Sequence, residues 1–193
     1  MPRAGLDVDA VTRAAADLID EQGLAALTMT ALAERVGVRP PSLYKHVPGG
    51  LVELTHRVAT LAAQDLAGVF RATLSEHRGA ALTDVAVAFR RYAQAHPGRY
   101  AATAAAEPSG DDDPLAIALR DSLDALGGVF DSYGLPRQEH VHAIRMLRSV
   151  LHGFAVLDAA HGFRMDIDVE DSVAWSLDLM DAGLRAAGST PPR

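Results

Sequence analysis

Apolar residues along the chain recur three and four positions apart over most of its length, and no stretch alternates in the two-residue rhythm of a half-buried strand. The pattern predicts an all-α fold. Val11, Ala14, Ala15, Leu18 and Ile19 line one face of a first helix over 7–22. Gly23 follows, a residue able to take the left-handed conformation that closes a helix. Thr28 or Thr30 can cap a second, two-turn helix over 29–36 that turns Met29, Leu32, Ala33 and Val36 inward. After a tight turn at Gly37, Arg39-Pro40-Pro41-Ser42 opens a third short helix ending near His46, because proline is tolerated in a first turn. Val47-Pro48-Gly49-Gly50 breaks the chain, and a long helix over 51–74 follows. Further helices are expected over 80–95, 98–106, 114–133, 137–161 and 169–187, separated by turn clusters such as His96-Pro97-Gly98 and Gly134-Leu135-Pro136.

Two short helices joined by a glycine-containing turn and backed by a third have the layout of a helix-turn-helix, which lays its last helix in the major groove of DNA. Leu32, Ala33, Val38 and Leu43 would lock the pair, with Ala33 and Gly37 small enough for close helix approach. The expected organisation is a DNA-binding domain over 1–50, a helical ligand-binding and dimerisation domain over 51–188, and a disordered tail over 189–193. The helix over 169–187 carries two apolar stripes, Val169/Val173/Leu177/Met180/Leu184 and Trp175/Leu179/Ala182. One stripe can serve the core and the other needs a partner. A homodimer built on the helices over 137–161 and 169–187 fits that excess; a more enclosed monomer core is the alternative.

Charge refines the picture. The net charge of −7 argues against nucleic acid as a whole-chain average, yet residues 35–57 hold four basic groups (Arg35, Arg39, Lys45, Arg57) against the single acid Glu53. Lys45 is the only lysine of the chain. There are no cysteines, which excludes disulfides, thiolate metal sites and a cysteine nucleophile. No apolar run is long enough to cross a bilayer and the N-terminus lacks a secretory apolar core, so a cytoplasmic location without membrane contact is expected.

The stretch Leu27-Thr28-Met29-Thr30-Ala31-Leu32-Ala33-Glu34-Arg35-Val36-Gly37-Val38, with Ser42-Leu43-Tyr44-Lys45-His46-Val47 behind it and Ala14 to Gly23 ahead, resembles the signature of the TetR family over about residues 8–55. The resemblance implies a homodimeric transcriptional regulator that binds a palindromic operator in double-stranded DNA and releases it when a small-molecule effector, unidentified here, enters the C-terminal domain. It implies phosphate contacts for Thr30 and Ser42 and a backbone contact for Tyr44, whose hydroxyl can donate to a phosphate oxygen. Lys45 and His46 would close the recognition helix against the phosphates. Arg39 is the candidate base reader, since a guanidinium pairs bidentately with guanine. Thr28, Pro40 and Pro41 complete the DNA-facing set. Alternative readings are a solvated Arg39 and a Tyr44 packed in the core. The sequence departs from the family pattern at Pro40, where relatives often carry a polar base reader, and at Pro48-Gly49-Gly50, which replaces a segment often supplying a lysine. Both remove donors, so weaker or more salt-sensitive DNA binding is expected.

Tyr92-Ala93-Gln94-Ala95-His96-Pro97-Gly98-Arg99-Tyr100 and Leu147 to Phe154 partly resemble a TetR C-terminal subfamily marked by a His-Gly segment. Phe89, Tyr92, Tyr100, Phe130, Met146 and Phe154, with Arg148 or His152 as polar anchors, are candidates for lining an effector cavity; plain core packing is the alternative for each. His140 and His142 point apart on a helix and no metal-ligand spacing occurs, so neither a metal nor a cofactor is expected. No G-x-S-x-G, P-loop or G-x-G-x-x-G is present, which argues against an enzyme. A helical ligand carrier that has lost DNA binding is the remaining competitor to the regulator.

Overall fold

A computed structural model describes residues 6–76 and 82–189. Among them are nine α-helices and no strand: α1 (Val8–Gln22), α2 (Met29–Val36), α3 (Pro40–Leu43), α4 (Gly50–Glu76), α5 (Leu82–Ala95), α6 (Pro97–Ala105), α7 (Pro114–Gly127), α8 (Arg137–Ala159) and α9 (Val169–Gly188). Residues 80 and 81 of the expected fifth helix, and all of the expected tail except Ser189, lie outside the described residues. The chain forms two compact units, one of Met1–Asp65 with Ala95–Arg120, the other of Leu66–Gln94 with Asp121–Arg193. Helices α4 and α7, and α5 by its last residue Ala95, contribute to both.

In the first unit the inward stripe of α1 is buried as the periodicity requires: Val11, Ala15 and Ile19 are fully enclosed with Leu32, Leu43, Val47, Leu54 and Val58. Asp7 caps α1, its carboxylate accepting from the Ala10 amide at 2.7 Å, and Thr28 caps α2 by accepting from the Ala31 amide at 3.0 Å. Gly37 ends α2 at φ 71° and ψ 35°, a left-handed conformation that side chains resist. It is exposed, and a Cβ there would meet nothing within 4 Å, so its role is conformational rather than the close helix approach expected from its size. Close approach occurs instead at Gly98 of α6, where an added Cβ would lie 2.1 Å from the carbonyl oxygen of Ile19 on α1.

The joint between α1 and α6 is completed by one carboxylate. Asp20 accepts from the Arg99 amide at 2.8 Å and sits 3.0 Å from His96 Nδ1. His96 precedes α6 without capping it, so a side chain of α1 supplies the cap that α6 lacks. Arg99 also reaches Asp17 at 2.6 Å, and its Nε lies 2.9 Å from Asp20 without hydrogen-bond alignment. Asp113 organises the entry to α7: it accepts from the amide and hydroxyl of Ser109 and the amide of Leu115, and pairs with His56 of α4. The Ser109 groups, then Leu115 and His56, hold its carboxyl well below the usual carboxylate range.

In the second unit Phe130, Leu82, Leu147, Leu151 and Leu177 are enclosed, and Phe70 stacks on Phe89 with centroids 6.5 Å apart. The helix expected over 114–133 stops at Gly127 and continues as a 3-10 segment, Gly128–Tyr133; two successive glycines weaken an α-helix at that point. Arg90 of α5 is buried, and its guanidinium bonds Glu170 at 2.5 Å and reaches Asp158 at 3.5 Å. Tyr133 donates to Asp181 at 2.5 Å beneath Arg185; burial and then the Asp181 carboxylate push its phenol up to about 12.

The two apolar stripes of α9 separate as expected. Val173, Leu177, Met180 and Leu184 are buried, whereas Trp175 is 68% and Leu179 62% exposed. Helix α8 behaves alike, burying Ala143, Leu147 and Leu151 while Val141, Met146, Val156 and Leu157 stay about half exposed.

Candidate DNA interface

The helix-turn-helix forms from a small lock. Leu32, Ala33 and Leu43 are buried, Val38 packs against them, and Val47 belongs to the same buried cluster. With one face of α3 committed to this core, its other face is presented outward. Hydrogen-bonded helix spans only Pro40–Leu43, shorter than the expected segment to His46; Tyr44 to His46 continue as a turn in which the His46 and Val47 amides both donate to the Leu43 carbonyl. Lys45 and His46 therefore follow the helix rather than belong to it.

None of the DNA-facing candidates is buried. Thr28, Thr30, Arg39, Pro41, Tyr44 and Lys45 are exposed, and Pro40, Ser42 and His46 are partly buried. Tyr44, 49% exposed, is not a core residue; one ring edge rests 3.5 Å from the position a Gly50 Cβ would occupy. Thr28 spends an oxygen lone pair on the cap of α2 and keeps its proton to donate. Arg39 stands at the start of α3 with no side-chain capping bond.

Tertiary pairing reduces the basic character that the chain order suggests. Arg35 makes a two-pronged bridge to Glu21 of α1 at 2.6 and 2.7 Å, which lowers the glutamate's pKa and raises the arginine's. Arg57 is held by Glu53 at 2.9 Å. Of the four cations between residues 35 and 57, Arg39 and Lys45 have no ion pair among the described residues. Glu53 also accepts from the Gly49 amide at 2.9 Å, and that bond, with Arg57 behind it, keeps its carboxyl below the ordinary value. Sequence reasoning missed the Glu21–Arg35 bridge because its partners are fourteen positions apart on different helices, where no periodicity links them.

The effector candidates fall in both units. Tyr100 belongs to the first unit and the other seven to the second. Phe89, Tyr92 and Phe130 are buried, Phe130 packing on Tyr133 and His140; Phe154 stacks on Phe163; Met146 and Arg148 are exposed on α8. Met146 lines an open groove of about 340 Å³ with Val150, Trp175, Leu179 and Met180. Among the described residues no group of three His, Asp or Glu is placed to hold a metal, and no helix is long and apolar enough to cross a membrane.

Residues 11–48 match the family model of bacterial regulatory proteins of the tetR family, and residues 82–180 match that of the tetracyclin repressor-like C-terminal domain. The chain is 34% identical to an uncharacterized HTH-type transcriptional regulator of Mycobacterium tuberculosis, Rv0681, over 88% of this chain and 82% of the relative. It is 30% identical to the HTH-type transcriptional regulator YobS of Bacillus subtilis over 95% of both. In fold it is similar to a TetR variant of Acinetobacter baumannii in complex with minocycline (TM-score 0.72, 21% identity, 96% of this chain and 100% of the other). A protein of unknown function from Rhodococcus matches at TM-score 0.78 with 19% identity, covering 96% of this chain and 99% of the other. With a helix-turn-helix exposing its third helix and both halves matched, the chain belongs to the TetR family of transcriptional regulators, which bind DNA and are not enzymes.

Proposed function

We propose that this regulator is a ligand-responsive repressor that binds a palindromic operator as a homodimer in the cytoplasm and leaves it when a small molecule binds its C-terminal half. Residues 1–50 serve as the DNA-binding region and 51–188 as the effector and dimerisation region. The observation that carries the reading is the pairing of an exposed α3 edge with a second, unburied apolar stripe on α8 and α9. The edge supplies Thr28, Thr30, Arg39, Pro40, Pro41, Ser42, Tyr44, Lys45 and His46 to a duplex. The stripe, with Trp175 and Leu179 mostly exposed, supports a four-helix contact with a second copy. A dimer places two α3 segments on one duplex, which is why the operator should be palindromic. Occlusion of a promoter by such a dimer makes repression the natural outcome. The small-molecule response is supported by the fold shared with a protein solved in complex with minocycline.

The salt slope of binding counts the phosphates neutralised. With Arg35 and Arg57 held by glutamates and the Gly49 amide occupied, the phosphate grip is thin; of the two outcomes expected from the lost donors this favours weak binding with a shallow salt slope, not greater salt sensitivity. The test is a gel shift with DNA upstream of the regulator's own coding region across a salt series. Lys45→Ala should weaken all sequences alike and reduce the slope by roughly one unit per protomer. Arg39→Ala should relax preference at one base pair. Absence of duplex binding at low salt by a folded dimer would remove the reading.

A further inference from the structure

Two outward-facing helices can cover their counterparts in a second copy in two ways. With the two-fold axis running along the helices, α8 of one copy lies on α9 of the other. With the axis across them, α8 lies on α8 and α9 on α9. Apolar contact satisfies either arrangement, and charge separates them. Within one copy Arg90 already holds Asp158 and Glu170, and Asp181 holds Arg185. The exposed groups left over divide by sign. Beyond the first turn of α8, where Arg137 and Glu139 offset each other, they are Arg145 and Arg148; on α9 they are Asp171 and Asp178. None of these last four has an ion pair among the described residues.

Their heights match as well as their signs. α8 and α9 run antiparallel: Gln138 and His142 share a groove with Leu184 and Ala187, and Met146 and Val150 share the next with Ser176, Leu179 and Gly183. Arg148 lies between Met146 and Val150 in the chain, Arg145 directly precedes Met146, and Asp178 lies between Ser176 and Leu179. Asp178 therefore stands level with the two arginines, and Asp171, roughly two turns away, stands beyond them. An axis along the helices preserves height, so it brings Asp178 of each copy to the arginines of the other, twice per dimer. An axis across the helices at that height opposes arginine to arginine and carboxylate to carboxylate, which repel. Resting on the homodimer reading of α8 and α9, we propose that Arg145, Arg148 and Asp178 determine partner specificity. They form ion pairs from α8 to the partner copy's α9 at the rim of the apolar contact. The occupant of this face is a second copy of this chain, because one chain carries both halves of the complementary pattern. A chain with an apolar stripe but without matching charges is turned away.

The experiment measures the dimer dissociation constant of the full-length chain by sedimentation equilibrium at low salt, with folding checked by circular dichroism. Arg145→Glu combined with Arg148→Glu should raise that constant at least about tenfold, since each dimer then opposes like charges twice. Asp178→Arg alone should do the same. All three substitutions in one chain should return it to within about threefold of wild type, a recovery that general damage to the surface would not show. Charge-reversed chains that dimerise as tightly as wild type overturn the proposal. A triple variant no tighter than the double one overturns it too. A dimer broken by Trp175→Asp with Leu179→Asp but indifferent to the charge reversals overturns it while leaving the homodimer reading of α8 and α9 standing. A wild-type chain that is monomeric throughout, or a dimer untouched by the Trp175 and Leu179 substitutions, overturns that reading along with it.

Discussion

The contact between α1 and α6 makes a sharp quantitative prediction. In Gly98→Ala the new methyl would lie 2.1 Å from the Ile19 carbonyl oxygen, 2.2 Å from its carbon and 2.6 Å from the Asp20 nitrogen. A carbon approaches a carbonyl oxygen no closer than about 3.3 Å, so the helices must part by more than about 1 Å. No side chain can rotate to absorb this, because every atom met belongs to the backbone of α1. Overpacking of this kind costs about 1–3 kcal/mol, and the upper end applies to a rigid neighbour. Parting also stretches the bonds from Asp20 to the Arg99 amide and His96, worth about 1.5 kcal/mol each to a charged acceptor and lost only in part. Alanine returns about 0.5–1 kcal/mol of backbone entropy. The balance is a destabilisation of about 3 kcal/mol, a drop in melting temperature of roughly 6–12 °C for a chain of this size.

Gly68→Ala is the matched control. It lies exposed within α4 with nothing within 4 Å of its Cβ, so only the entropy gain operates and the variant should be more stable by about 1 kcal/mol. Thermal and urea unfolding followed at 222 nm measure both. A Gly98→Ala protein that melts within 1 °C of wild type, or two variants that shift in the same direction, would refute the argument.

Two further outcomes follow from the geometry. Folding lowers the Asp113 pKa beneath its ordinary 3.8, so its contribution is complete above that value and is lost as pH falls toward the folded-state pKa; the melting difference between wild type and Asp113→Asn should therefore be constant from pH 7 to 5 and shrink below about pH 4. Curves that stay parallel down to pH 3 would deny the linkage. Trp175→Asp combined with Leu179→Asp should yield a folded monomer by sedimentation, since both side chains are mostly exposed within one copy and the core does not depend on them. A dimer that persists would place the interface elsewhere.

Much of the site was legible in the chain order because local rules govern it. The two-turn α2 runs over Met29–Val36 as expected, set by the Thr28 cap and the left-handed Gly37. Prolines at the start of α3 and the burial of Leu32, Ala33 and Leu43 followed from backbone preference and periodicity alone. The two stripes of α9 were likewise readable, since a helix displays its faces at fixed angular spacing. What periodicity could not convey was the end of α3 at Leu43, because the turn behind it keeps helix-like bonds to the Leu43 carbonyl.

The amino-acid order by itself determined most of the helix spans, the caps of α1 and α2, and the surplus apolar face of α9, all of which depend on residues within a few turns of one another. Only the tertiary structure decided which charges remain for DNA. Glu21 reaches Arg35 and Asp20 caps α6 across 14 and 79 positions of chain, and such pairs exist only once packing has set distant backbones side by side. A charge count along the chain includes both partners as free; in the folded molecule Coulomb attraction at 2.6 Å has already joined them.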